Sequence, residues 1–132
     1  MYTVKEASKI LNMSEHTIRY YTDCELIPTL IRTKNNQRLF NQDSMNWLLG
    51  IKNLKACGLS IKEIKEFVQL SQLGDSTIKE RHQIFLRSKK LAELQLAEAQ
   101  ARVTFLENKL RHYEEIMYNG IPDKTNPSQW KR

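Results

Sequence analysis

"SEHTIRYYTD", residues 14–23, sets an arginine and two tyrosines behind a serine suited to open a helix. A serine at that place can accept a free N–H of the first turn. The helix would run to about Asp23 with Ile18 turned inward, leaving Glu15, His16, Thr17, Arg19 and Tyr20 outward. So many hydrogen-bonding groups exceed what a short helix needs for solubility, so the outer face is a candidate contact surface. Tyr21, three residues after Ile18, is open between the core and that face.

Upstream, Thr3-Val4-Lys5-Glu6 has the form of a capping box, in which each side chain satisfies the other residue's free backbone N–H. Val4, Ala7, Ile10 and Leu11 then recur at helical spacing, predicting an amphipathic helix over 4–11 and a tight turn at Asn12-Met13. Downstream, Leu26-Ile27-Pro28 closes the second helix, because proline disfavours helix at the residue before it. "TLIRTKNNQRLF", residues 29–40, places β-prone residues on either side of Lys34-Asn35-Asn36, which suits a hairpin because Asn tolerates left-handed geometry. Arg32, Lys34 and Arg38 lie in an acid-free run over 26–40.

Helix, three-residue turn, helix and basic hairpin form a winged helix-turn-helix. In that arrangement the second helix enters a DNA major groove, with Ser14 at its mouth. Arg19 can reach guanine or phosphate, Tyr20 can bond phosphate, and Glu15 can accept from cytosine's amino group. The hairpin arginines would grip backbone phosphates beside the groove.

Asn41 or Asp43 opens a third helix through Ala56, stopped by Gly58. Ser60-Ile61-Lys62-Glu63 is a second capping box, leading into Ile64, Phe67, Val68 and Leu70, with Gly74 as the stop. Trp47 is expected between these two helices. Thr77 with Glu80 opens the last helix, and no Gly or Pro follows until Gly120. Positions 78, 82, 85, 89, 92, 96, 99, 103, 106, 110, 113 and 117 alternate four and three residues apart, and only His82 and Lys89 among them are polar. That is a coiled-coil seam carrying Phe85, Leu96, Val103, Leu106, Leu110 and Tyr113. The chain has no second helix of that length, so homodimerisation is the simplest partner and a hetero-coiled-coil the alternative. The fold class is therefore mainly α. The expected domains are 1–75 for the winged unit, 76–118 for the dimerisation helix and 119–132 for a flexible polar tail.

The net charge of +6 favours an acidic partner only mildly, because residues 1–75 carry ten Lys and Arg against eight acids and 76–132 eleven against seven. No apolar stretch suits a bilayer and no signal-peptide core opens the chain, so no membrane contact is expected and the location is cytoplasmic. Cys24 and Cys57 fit no disulfide framework or zinc spacing, and the three histidines lie far apart, so neither metal nor cofactor is expected. No phosphate loop, nucleophile elbow or H-E-x-x-H occurs, which argues against an enzyme. A coiled-coil scaffold that binds no specific DNA remains the rival, since the seam alone would justify it.

"TVKEASKILNMSEHTIRYYTDCELIP", the wing ending "NQRLFNQDS" and "LKACGLSIKEIKEF" together resemble the MerR family of transcription regulators over residues 2–75. The resemblance implies a homodimer joined by an antiparallel coiled coil and bound to a palindrome in a promoter with an overlong spacer. Such regulators distort DNA so that RNA polymerase can engage it. Arg19 and Tyr20 match DNA-contacting positions of the recognition helix, and Arg38 matches the wing arginine. Two positions depart from the pattern: Glu25 stands where glycine is usual, and Phe40 replaces a tyrosine. The short form, without a large ligand domain, is similar to aldehyde- and thiol-stress-responsive members. It makes Cys24, close behind Arg19, and Cys57, near the hinge to the dimer, candidate sensor thiols. A noncovalent ligand at the dimer interface is the alternative effector.

Overall fold

The computed structural model describes residues 1–131. In chain order it contains β1 (Tyr2–Thr3), α1 (Val4–Leu11), α2 (Glu15–Asp23), β2 (Ile31–Arg32), β3 (Arg38–Phe40), α3 (Gln42–Ala56), α4 (Ile61–Gln72) and α5 (Ile78–Asn119). Both capping boxes form. Thr3 Oγ1 accepts from the Glu6 N–H at 3.2 Å while Glu6 Oε1 accepts from the Thr3 N–H at 3.0 Å. Ser60 and Glu63 repeat the exchange at 3.1 and 3.0 Å. Holding these hydrogen bonds pulls the pKa of both glutamates down, first through the backbone N–H of the cap residue.

Asn12 takes left-handed geometry at φ 53° and turns the chain into Ser14, whose Oγ accepts from the Thr17 N–H at 3.0 Å. The second helix ends earlier than Pro28 requires, after Asp23. The Leu26 N–H reaches back to the Tyr21 carbonyl and the Glu25 N–H to the Thr22 carbonyl, both at 3.1 Å. That paired closure needs one residue at positive φ, and here it is Glu25, at 61°. The departure from glycine thus leaves the turn in its usual shape and costs about 1 kcal/mol of backbone strain. Gly58, at φ 92°, closes α3 through the same pair of bonds without that strain.

The hairpin expected over 29–40 forms as β2 and β3, antiparallel, with Arg32 opposite Arg38. A third strand was not anticipated. β1 pairs with the other edge of β3, Tyr2 opposite Phe40, giving the order β1-β3-β2. Two residues are too few to show an alternating pattern.

The first compact unit, Met1–Ala92, is built on Ile18, Leu26, Phe40, Leu48, Ile51, Leu59, Ile64 and Ile84, all essentially without exposed surface. Phe40 lies wholly inside, where a tyrosine hydroxyl would need a partner. Tyr21 is also core, whereas Tyr20 is exposed. Trp47 meets the edge of Phe67 with centroids 6.5 Å apart, so it packs α3 on α4 as expected. This unit reaches past the expected boundary at 75, because the start of α5 packs into it. Ile84 is fully buried, and Phe85 stands edge-on to Phe67 at 5.5 Å. Ile84 lies off the heptad stripe, so the seam pattern did not disclose it. Thr77 does not form the expected box with Glu80. Its hydroxyl donates to the Leu70 and Gly74 carbonyls, at 2.7 and 2.8 Å, and accepts from Arg81 Nε at 3.0 Å.

The second unit begins at Glu93. On its part of α5, Leu96, Val103, Leu106, Leu110 and Tyr113 are all exposed. The tail carries local order: Trp130 Nε1 donates to the Lys124 carbonyl at 3.1 Å. Lys109 Nζ lies over both the Phe105 and Trp130 rings, at 5.6 and 5.7 Å.

Candidate nucleic-acid interface

Helix α2 divides its residues sharply. Ile18, Tyr21 and Thr22 are buried, which leaves His16, Arg19 and Tyr20 exposed and Glu15 and Thr17 half-buried on the other side. Arg19 NH2 pairs with Glu15 Oε1 one turn earlier at 3.3 Å. Both side chains are largely in water, so the pair holds Arg19 by only about 0.3–0.5 kcal/mol and gives way to a stronger anion. Ser14 and Thr17 spend their hydroxyls on each other and on the cap, Ser14 Oγ donating to Thr17 Oγ1 at 2.7 Å. Both hydroxyls are thus engaged at the entry of the helix, while His16, Arg19 and Tyr20 stand exposed. Tyr20's pKa is pushed up, first by hydrogen bonding with Cys24 and then by the electrostatic interaction with the same side chain. Like any phenol, that of Tyr20 is an O–H donor at neutral pH.

The wing turn is closed by the Asn36 N–H on the Thr33 carbonyl at 2.9 Å, with Asn36 at φ 61° as its left-handed residue. Lys34 stands exposed at the tip. Arg32 NH1 donates to Asn36 Oδ1 at 3.2 Å, which braces the turn. Arg38 is placed differently from a free phosphate grip. Its Nε donates to Thr22 Oγ1 at 2.8 Å and its NH2 to Asp23 Oδ1 at 2.9 Å, and its side chain is only 19% exposed. The wing arginine is tied to the end of α2.

Between α2, the wing and the start of α1 lies a polar cleft of about 390 Å³, lined among others by Lys5, Glu15, Arg19, Gln37 and Arg38. Lys5, a lining residue of this cleft, was not singled out in the sequence. A basic residue in the first turn of a helix runs against the helix dipole, and that misfit was the available signal. Nor were Thr22 and Asp23 singled out as partners of the wing.

The two cysteines differ. Cys57 is exposed at the C-terminal cap of α3, while Cys24 is half-buried at the cap of α2. Among the described residues no group of His, Cys, Asp or Glu could hold a metal ion. No described helix is long and apolar enough to cross a membrane.

Residues 2–71 match the family model of MerR HTH family regulatory proteins. An HTH-type transcriptional regulator of Haemophilus influenzae is 33% identical over 128 residues, covering 97% of this chain and 95% of that protein. The crystal structure of HiNmlR, described as a MerR family regulator lacking the sensor domain and bound to promoter DNA, superposes with a TM-score of 0.71. It is 33% identical and covers 90% of this chain and 94% of that one. A MerR family regulator from Listeria monocytogenes gives a TM-score of 0.77 at 25% identity, with 91% of each chain covered.

Proposed function

Since the chain belongs to the MerR family of helix-turn-helix transcription regulators, we propose that it binds double-stranded promoter DNA as a homodimer. The observation that carries this reading is the partition of α2, with Ile18 and Tyr21 in the core and Arg19 and Tyr20 exposed beside a basic wing. In the groove, Arg19 exchanges Glu15 for a guanine edge or a phosphate, and the Tyr20 phenol donates to a phosphate oxygen. Glu15, His16 and Thr17 border that contact, and Ser14 fixes the angle at which the helix enters. Lys34 and Arg32 lie on the flanking backbone from the wing.

Two copies joined along α5 through Phe85, Leu96, Val103, Leu106, Leu110 and Tyr113 present two such helices about a two-fold axis. A dyad in the protein calls for a palindrome in the DNA. Distortion of the intervening promoter then acts on RNA polymerase through the DNA rather than by direct contact. The exposed seam of α5 favours this over a monomeric DNA-binding unit.

Arg19→Ala tests the groove assignment. Duplexes enriched by the wild-type chain from a randomised pool should bind the variant more weakly by about 1–3 kcal/mol, with relaxed preference at one base pair. Equal affinity of variant and wild type for enriched and random duplexes alike would remove α2 from the interface.

A further inference from the structure

Asp23 is out of place by every local rule. It ends α2, where the helix dipole disfavours an acid, and no basic residue lies in that last turn to offset it. It also sets a negative charge beside Arg32, which is assigned to the DNA backbone. Its surroundings explain its presence. Arg32 and Arg38 face each other directly across β2 and β3, a juxtaposition of like charges that weakens a strand pair. The Asp23 carboxylate sits between them, 2.9 Å from Arg38 NH2 and 3.9 Å from Arg32 NH2. Thr22 completes the joint. Its hydroxyl accepts from Arg38 Nε at 2.8 Å and donates to the Arg19 carbonyl at 2.7 Å. A chain of bonds thus runs from the wing into the backbone of the residue assigned to the groove.

We propose that Asp23 is a positioning residue for DNA recognition. Through Arg38 and Arg32 it fixes the wing to the recognition helix, so that both reach the duplex in one register. It touches no DNA itself. The inference rests on the DNA-binding reading of this surface, and the two can fail separately.

Charge and positioning make opposite demands on Asp23→Asn. If the carboxylate acts only as a negative charge, its removal tightens binding to every duplex by one common factor. If it positions the wing, random-sequence duplex is bound as tightly or more tightly, while the preference for an enriched duplex falls. The expected fall in that ratio is at least about fivefold, the low end of the cost of one misplaced base contact. Asp23→Glu, which keeps the charge and can still reach Arg38, should restore most of the ratio. The measurement is the affinity of the full chain for a duplex enriched by the wild type and for a random duplex of equal length, over a range of salt. Circular dichroism of each variant verifies the fold. A ratio unchanged in Asp23→Asn, with wild-type preference intact, overturns the positioning role and leaves the DNA-binding reading standing. A wild type that enriches no sequence overturns that reading and this inference with it.

Discussion

Two leucines on α5 offer the sharpest test of assembly. Leu106 and Leu110 are 58% and 63% exposed in the single chain, one turn apart on the seam. Fully burying a leucine side chain is worth roughly 1.5–3 kcal/mol, so covering the surface still open here returns about 1–2 kcal/mol for each. A two-fold dimer counts each residue twice, and four such burials total about 4–7 kcal/mol. Leu106→Glu with Leu110→Glu forfeits that amount and adds the desolvation of four carboxylates. The dimer dissociation constant should therefore rise by about three to five powers of ten. Sedimentation equilibrium on the full chain measures it, and circular dichroism should show the helix retained, because neither side chain supports the chain's own core. A variant that sediments as the same dimer as the wild type would refute the seam assignment.

Glu25→Gly should raise stability by about 0.5–1 kcal/mol, read from denaturant midpoints. Relief of the positive φ exceeds the loss of the exposed pair with Lys65 at 3.5 Å; a lower midpoint would show that Glu25 supplies something else. The capping glutamates have folded pKa values below their ordinary 4.5. Their contribution is therefore complete above that pH and lost as pH falls through the folded values. Glu6→Gln with Glu63→Gln should flatten the loss of stability below about pH 4.5, and an unchanged acid limb would assign that loss to other carboxylates. Cys57 should alkylate with iodoacetamide faster than Cys24, as peptide mass mapping against time would show, since only Cys57 is exposed. Faster labelling of Cys24 would mean that the end of α2 opens readily.

Much of the fold was legible because its signals are local. Thr3, Ser14 and Ser60 each cap the helix that the sequence assigned to them, and Asn41, one of its two candidates, caps the third. Gly58 and Asn36 mark turns that need a left-handed residue. What escaped was long-range. β1 joins a sheet with a strand more than thirty residues away, and two residues have no period to read. Ile84 is buried by α5 packing into the first unit, a contact hidden by the regular heptads around it. In the candidate interface, the exposed face of α2 followed from helical spacing once Ile18 was turned inward. The contacts of Arg38 did not, because an arginine in a basic loop looks the same whether it is free or already holds Thr22 and Asp23, sixteen and fifteen residues upstream.

In the proposed assembly, two copies of this chain set two recognition helices on one palindrome. A hydroxyl-radical footprint of the wild-type chain, on a duplex it has enriched from a randomised pool, tests it most directly. The expected result is two protected half-sites of inverted sequence, with centres separated by a multiple of about 10–10.5 base pairs. A single unrepeated protected segment, or protection that does not depend on sequence, would contradict it.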